Sequence, residues 1–171
     1  MTVPPQTQIP VGVVVERRKS DNPWTDVIWR PVSVLVGEPA APPWTQLSET
    51  DEVATFYAGA AEIALYRTET ANYRANLTME TPSLWVALRP TESEAPFDLA
   101  AVTADPAEGE SFTEAGNDLI EAVPMPDAVR AIIEAFVAEH FVEQPFSKRQ
   151  RDRANPEALA RHSPTARERD K

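Results

Sequence analysis

The sequence has no cysteine and only two histidines, His140 and His162, both in its last quarter. Thiolate catalysis, disulfides and cysteine-based zinc or iron–sulfur sites are therefore excluded. A reactive acid or base before His140 has to be Asp, Glu, Lys, Arg or Tyr, with Ser or Thr as the only hydroxyl nucleophiles, and no nucleophile–base–orienter set stands out. His140 falls on the apolar stripe of an expected C-terminal helix. There a hydrogen-bonded histidine at the core edge, helped by the helix dipole, is a simpler reading than a general base or ligand. His162 sits among basic residues and reads as solvated.

Arg30 falls within an apolar strand pattern, so it either holds an anionic ligand or pairs with a carboxylate of the body. Trp24, Trp29 and Trp44 lie around Pro-rich turns. Aromatic side chains there act as binding anchors or as plugs over the open end of a sheet. Glu49, Asp51 and Glu52 are close in sequence, as are Asp105, Glu108 and Glu110, but neither stretch has the acid spacing and turn glycine of a calcium loop. No metal site and no cofactor are expected. The five glycines lie at least seven residues apart, so no dinucleotide fingerprint or phosphate-cradling P-loop can be drawn. There is no G-x-S-x-G elbow. Lys148 and Arg149 open a dense basic run without interleaved aromatics, which offers no stacking platform for single strands.

The charge is split along the chain. Residues 1–146 carry 8 Lys/Arg and 23 Asp/Glu, a net of −15, whereas residues 147–171 carry 8 and 4, a net of +4. An acidic body repels phosphate backbones, so a nucleic-acid contact is expected, if anywhere, through the tail. The acidity keeps the protein soluble or steers a basic partner. No apolar run reaches about 18 residues, so no membrane helix is expected. The N-terminus lacks the basic and apolar regions of a signal peptide, so a cytoplasmic location is expected.

The elements that must position these residues follow from periodicity. Residues 11–15, all β-branched but for Gly12, predict a strand covered on both faces. Residues 16–23 read as a charged turn, and 27–37 as a second strand with Ile28, Val32, Val34 and Val36 on one apolar face. Pro31 cannot donate a ladder bond, so this strand needs an edge or a bulge. Residues 38–49 read as a loop. Strands are expected at 53–57 running into 61–66, at 73–80 from the alternation of Tyr73, Ala75, Leu77 and Met79, and at 84–89. The stretch 97–104 reads as either strand or irregular, and 119–123 suits one more strand. Asp105 followed by Pro106 predicts a helix start. Val129, Ile132, Ile133, Phe136, Val137 and Phe141 recur at helical spacing, so 127–141 is an amphipathic helix. The expected fold is α+β: a mainly antiparallel sheet with one long amphipathic C-terminal helix packed on a face, and a basic, mostly disordered tail. Residues 1–8 would be a flexible lead-in, 9–146 one domain, and 147–171 the tail.

Four stretches carry a family resemblance. They are Ile9-Pro-Val-Gly-Val-Val-Val-Glu-Arg-Arg18, Asn22-Pro-Trp-Thr-Asp-Val-Ile-Trp-Arg-Pro31, Ala71-Asn-Tyr-Arg-Ala-Asn-Leu77 with Leu84-Trp-Val-Ala-Leu-Arg89, and Val123-Pro-Met-Pro126 with Phe146-Ser-Lys-Arg149. Over residues 8–160 the chain resembles a proteobacterial family known only as a domain of unknown function. The resemblance implies genes near those of molybdenum-dependent formate dehydrogenases. Some members bear the label molybdopterin-guanine dinucleotide biosynthesis protein. The Gly-rich loop such a nucleotidyltransferase carries after its first strand is replaced here by Glu16-Arg17-Arg18-Lys19-Ser20-Asp21. The expected function is that of a non-enzymatic accessory or assembly protein linked to a formate dehydrogenase or molybdenum-cofactor system, with a component of that system as protein partner. The alternative is an enzyme or binder of a pterin- or nucleotide-like anion. The candidate contact residues are Trp24, Trp29, Arg30, Trp44, Arg17, Arg18, Lys148 and Arg149.

Overall fold

The computed structural model describes residues 5–114 and 116–141. His162, Lys148, Arg149 and the whole basic tail lie outside the described residues.

Seven strands form two antiparallel sheets. The first has the order β2-β1-β4-β3, from β1 (Thr7–Lys19), β2 (Val27–Val36), β3 (Thr45–Glu49) and β4 (Val53–Leu65). The second has the order β6-β5-β7, from β5 (Ser83–Pro90), β6 (Phe97–Thr103) and β7 (Leu119–Pro124). Three helices complete it: α1 (Thr70–Leu77), α2 (Pro106–Phe112) and α3 (Asp127–His140). Ile9, Val11, Val13 and Val15 of β1 share one buried core with Leu84, Val86 and Leu88 of β5 and with Val129, Ile133 and Phe136 of α3.

This corrects the expected fold of one sheet carrying one long C-terminal helix. There are two sheets and three short helices, and the longest helix, α3, has 14 residues. After β4 the chain enters a 3₁₀ turn at Arg67–Glu69 and then α1, not a hairpin return. β5 therefore cannot zip onto β4 and instead starts a second sheet. The expected strand at 73–80 is the cause of the error. Its first part is α1, whose buried face is Thr70, Tyr73 and Asn76 at a spacing of three residues. Two of those three are polar, so the alternation of apolar residues pointed to the wrong period. The loop expected at 38–49 ends in β3, a short, mostly exposed edge strand. β1 begins at Thr7, inside the stretch expected to be a lead-in.

Pro31 has the effect its chemistry demands. β2 is an edge strand, and its register against β1 shifts so that Val14 faces Ser33 while Val15 faces Pro31. Val32 is the extra residue of this bulge. The bulge also reverses which side chains point inward. Val34 is buried beyond it, but Pro31 and Trp29 turn inward before it, and Ile28 and Arg30 are exposed. The single even-numbered apolar face expected from the sequence is therefore broken, and Arg30 does not interrupt the core. Gly12 lets the outer face of β1 be covered: a Cβ there would sit 2.7 Å from the Tyr57 ring and 3.0 Å from Pro39.

Candidate docking surface

The β1–β2 hairpin ends in a loop held by its own hydrogen bonds. The Ser20 N–H donates to the Asp26 carbonyl (3.2 Å), and the Thr25 N–H to the Asn22 carbonyl (3.2 Å). The Asn22 N–H donates to Ser20 Oγ, and the Trp24 N–H to Asn22 Oδ1, both at 3.0 Å. The last pair is an Asx turn, the role Asn plays best before a reversal. A further bond, from Lys19 N–H to the Glu52 carbonyl (3.0 Å), ties the hairpin to the β3–β4 turn. On this braced tip the Trp24 side chain is 91% exposed.

Outward from the sheet, Arg18 lies opposite Ile28, and Glu16 opposite Arg30. Both arginines reach Glu16 Oε1, Arg18 Nε at 3.1 Å and Arg30 Nε at 3.5 Å. Glu16 is nearly covered, with 12% of its side chain exposed, while the guanidinium-bearing side chains are 49% and 52% exposed. Arg30 thus takes the salt-bridge role rather than standing alone for a ligand. Arg17 turns to the other face, its guanidinium 5.8 Å from the Trp29 ring and 5.2 Å from Phe56.

Trp29 and Trp44 belong to a different structure. Their rings meet edge to face at 5.9 Å, and both touch Phe56 and Phe97. The Trp44 indole N–H donates to the Phe97 carbonyl (3.1 Å), joining the first sheet to the second. Trp44 has φ 69°, left-handed backbone that is unusual for a bulky side chain. Its backbone N–H donates to the Tyr57 carbonyl. Both indoles are half-buried, so they plug one end of the core and Trp24 alone projects. Of the candidate residues, the fold gathers Arg18, Arg30 and Trp24 at one hairpin, with Arg17 on its opposite face.

A cavity of about 470 Å³ lies beside the hairpin, lined by Arg17, Lys19, Val27 and residues 49–54. Glu49, Asp51 and Glu52 face the two bases there. This excess of carboxylate opposes an anionic ligand.

The other polar assembly had no sequence signal beyond the Asp105 cap. Asn76 is fully buried, its Nδ2 donating to the carbonyls of Ser83 (2.8 Å) and Ala104 (2.9 Å), while its Oδ1 accepts from Ser83 N–H (3.0 Å). Asp105 caps α2 by accepting from the Ala107 N–H (2.9 Å), and it also accepts from Asn72 Nδ2 (3.2 Å). The buried Tyr73 hydroxyl accepts from the Tyr66 N–H (2.9 Å). Burial, reinforced by nearby Asp105, Glu69 and Glu108, pushes that phenol up to about 12. Burial likewise raises the Glu108 carboxyl above its usual range, Thr103 Oγ1 opposes this by donating to it, and Asp105 and Glu69 add to the rise. His140 sits at the C-terminal end of α3 with its ring 4.5 Å from Phe136. Asp105 and Glu108 are thus occupied in capping and bonding α2.

Among the described residues no helix is long and apolar enough to cross a membrane. A family model described as a protein of unknown function (DUF3305) matches residues 10–150. Neither the curated proteins nor the solved structures gave a match.

Proposed function

The chain belongs to the DUF3305 family, and we propose that it is a non-enzymatic docking or assembly factor that presents its β1–β2 hairpin to a partner protein. The observation that carries this reading is Trp24, 91% exposed at the tip of a loop closed by four hydrogen bonds. A braced loop has little entropy left to lose on binding, and an indole offers a large apolar area with few rotors. Trp and Arg are also the side chains that most often dominate interface energy. The Asn22–Pro31 block includes this tip, and its family resemblance extends the proposal to a component of a formate dehydrogenase or molybdenum-cofactor assembly as partner.

The alternative, an enzyme or binder of a pterin- or nucleotide-like anion, needs convergent free bases in a pocket. Arg30 lies half-exposed on the open outer face of the hairpin and does not line the cavity beside Arg17 and Lys19, which carries three carboxylates. No observation favours it.

The test is capture of partners from the native host by the tagged full chain, followed by mass spectrometry. Trp24→Ala is expected to weaken capture by about 30-fold, the ~2 kcal/mol of a hot-spot aromatic, without changing the melting temperature. Undiminished capture by Trp24→Ala would remove the hairpin from the proposal.

A further inference from the structure

We propose that the hairpin recognises an extended acidic segment of its partner, whose carboxylates seat between Arg18 and Arg30. The inference rests on the docking reading above and names the chemistry of the occupant. Four of the eight Lys/Arg of residues 1–146 are Arg17, Arg18, Lys19 and Arg30, all on this hairpin. Elsewhere Arg89 is held by Asp118 and Arg130 by Glu134. With Glu16, Asp21 and Asp26 counted, residues 16–30 carry 4 Lys/Arg and 3 Asp/Glu, a net of +1 within a body of net −15, so an acidic segment is repelled less at the outer face of the hairpin than elsewhere on that body.

Local geometry sharpens the argument. Across an antiparallel pair, Arg18 and Arg30 are diagonal neighbours, about 7–8 Å apart. Glu16 draws both Nε atoms to one oxygen. Among the described residues, neither guanidinium makes a hydrogen bond through its terminal nitrogens. One covered carboxylate therefore orders two half-exposed guanidiniums whose remaining donors face solvent. A second carboxylate fits such a fork through charge-assisted bonds. Ile28, 49% exposed and directly opposite Arg18, supplies an apolar contact beside it. Trp24 lies just beyond the end of the ladder.

An anionic bilayer shares the charge but not the shape. A flat surface meets the acidic body as well as the hairpin, whereas a segment meets the hairpin alone.

Titrating the full ¹⁵N-labelled protein tests the inference. The probes are a peptide of about 12 residues in which Glu alternates with Leu and Ser, its Lys counterpart, and vesicles of phosphatidylglycerol with phosphatidylcholine. The chain has four indole signals, and Trp24→Phe identifies the relevant one. The Glu peptide is expected to shift the Trp24 indole and the Arg18 and Arg30 side-chain signals, with affinity falling as salt rises. Arg18→Gln/Arg30→Gln, which removes both charges but keeps polar side chains, is expected to weaken binding about tenfold or more. Arg30→Gln alone serves if the double variant does not fold.

Equal binding of the Lys peptide, a Glu-peptide response that leaves the hairpin signals unmoved, or capture by vesicles in place of the Glu peptide would each overturn the inference. If Trp24→Ala still loses its partner in any of these cases, the docking reading stands and only the acidic chemistry falls. If Trp24→Ala captures normally, the docking reading itself fails.

Discussion

Two regions of this protein use polar and aromatic side chains in opposite ways. Where α1 meets β5 and α2, every polar atom of Asn76 that can bond is bonded, and the residue is out of water. At the β1–β2 hairpin, Trp24 and two arginines are ordered by short-range bonds yet left facing solvent. Saturated burial holds a fold together and offers nothing to a partner. Ordered exposure adds little to stability and costs little to bind. The contrast separates side chains that hold the fold together from side chains left open to a partner.

The sharpest way to break the comparison is at the buried end. Asn76→Ala leaves the Ser83 N–H and the carbonyls of Ser83 and Ala104 without their side-chain partner. Losing buried partners of this kind costs about 1–3 kcal/mol per group, so the variant is expected to lose about 3 kcal/mol in urea unfolding. A loss below about 1 kcal/mol would show that water reaches these groups and that the region is not saturated.

This buried region is also where the sequence was least legible. α1 was hidden because its inward face is Thr70, Tyr73 and Asn76, and no apolar periodicity marks it. The partners of Asn76 lie on β5 and just after β6, so only the folded chain shows why an Asn is tolerated there. Where local chemistry governs, the sequence was informative. Pro31 anticipated the edge and the bulge, Asp105 with Pro106 gave the start of α2, and the 3.6-residue period found α3. At the hairpin, the breakers Asn22 and Pro23 marked a loop, but nothing local said that Trp44 would pair with Phe97, 53 residues away. Nor did anything show that the Val32 bulge would turn Arg30 outward. Tertiary pairing and register are not written in residue type alone.

A smaller effect sharpens the comparison through pH. Glu108 accepts a hydrogen bond from Thr103 Oγ1, and its raised pKa means that the folded state binds a proton more tightly than the unfolded chain. Its favourable contribution is complete below the ordinary carboxyl range near 4.5 and is lost as pH rises through the raised folded value. Glu108→Gln is expected to flatten that part of the stability–pH curve and to leave the variant slightly more stable than the parent at neutral pH. Parallel curves for parent and variant would mean that solvent screens the carboxyl.

The smallest effect belongs to Trp24, and it is the one that defines the other side of the contrast. A side chain 91% exposed keeps nearly all its water in the folded state, so truncating it removes almost no burial. The loop that carries it is closed by bonds from Ser20, Asn22 and the backbone, none of which needs the indole. Trp24→Ala is therefore expected to change unfolding free energy by less than about 0.5 kcal/mol, as surface substitutions away from special features do. At this chain length that is a melting shift of no more than about 2 °C. Acrylamide should quench the emission that Trp24 contributes as freely as that of a small indole in solution. A loss above 1 kcal/mol, or an indole shielded from quencher in the free protein, would place Trp24 with Trp29 and Trp44 as a structural plug. The hairpin would then resemble the buried end, and the distinction between the two regions would collapse.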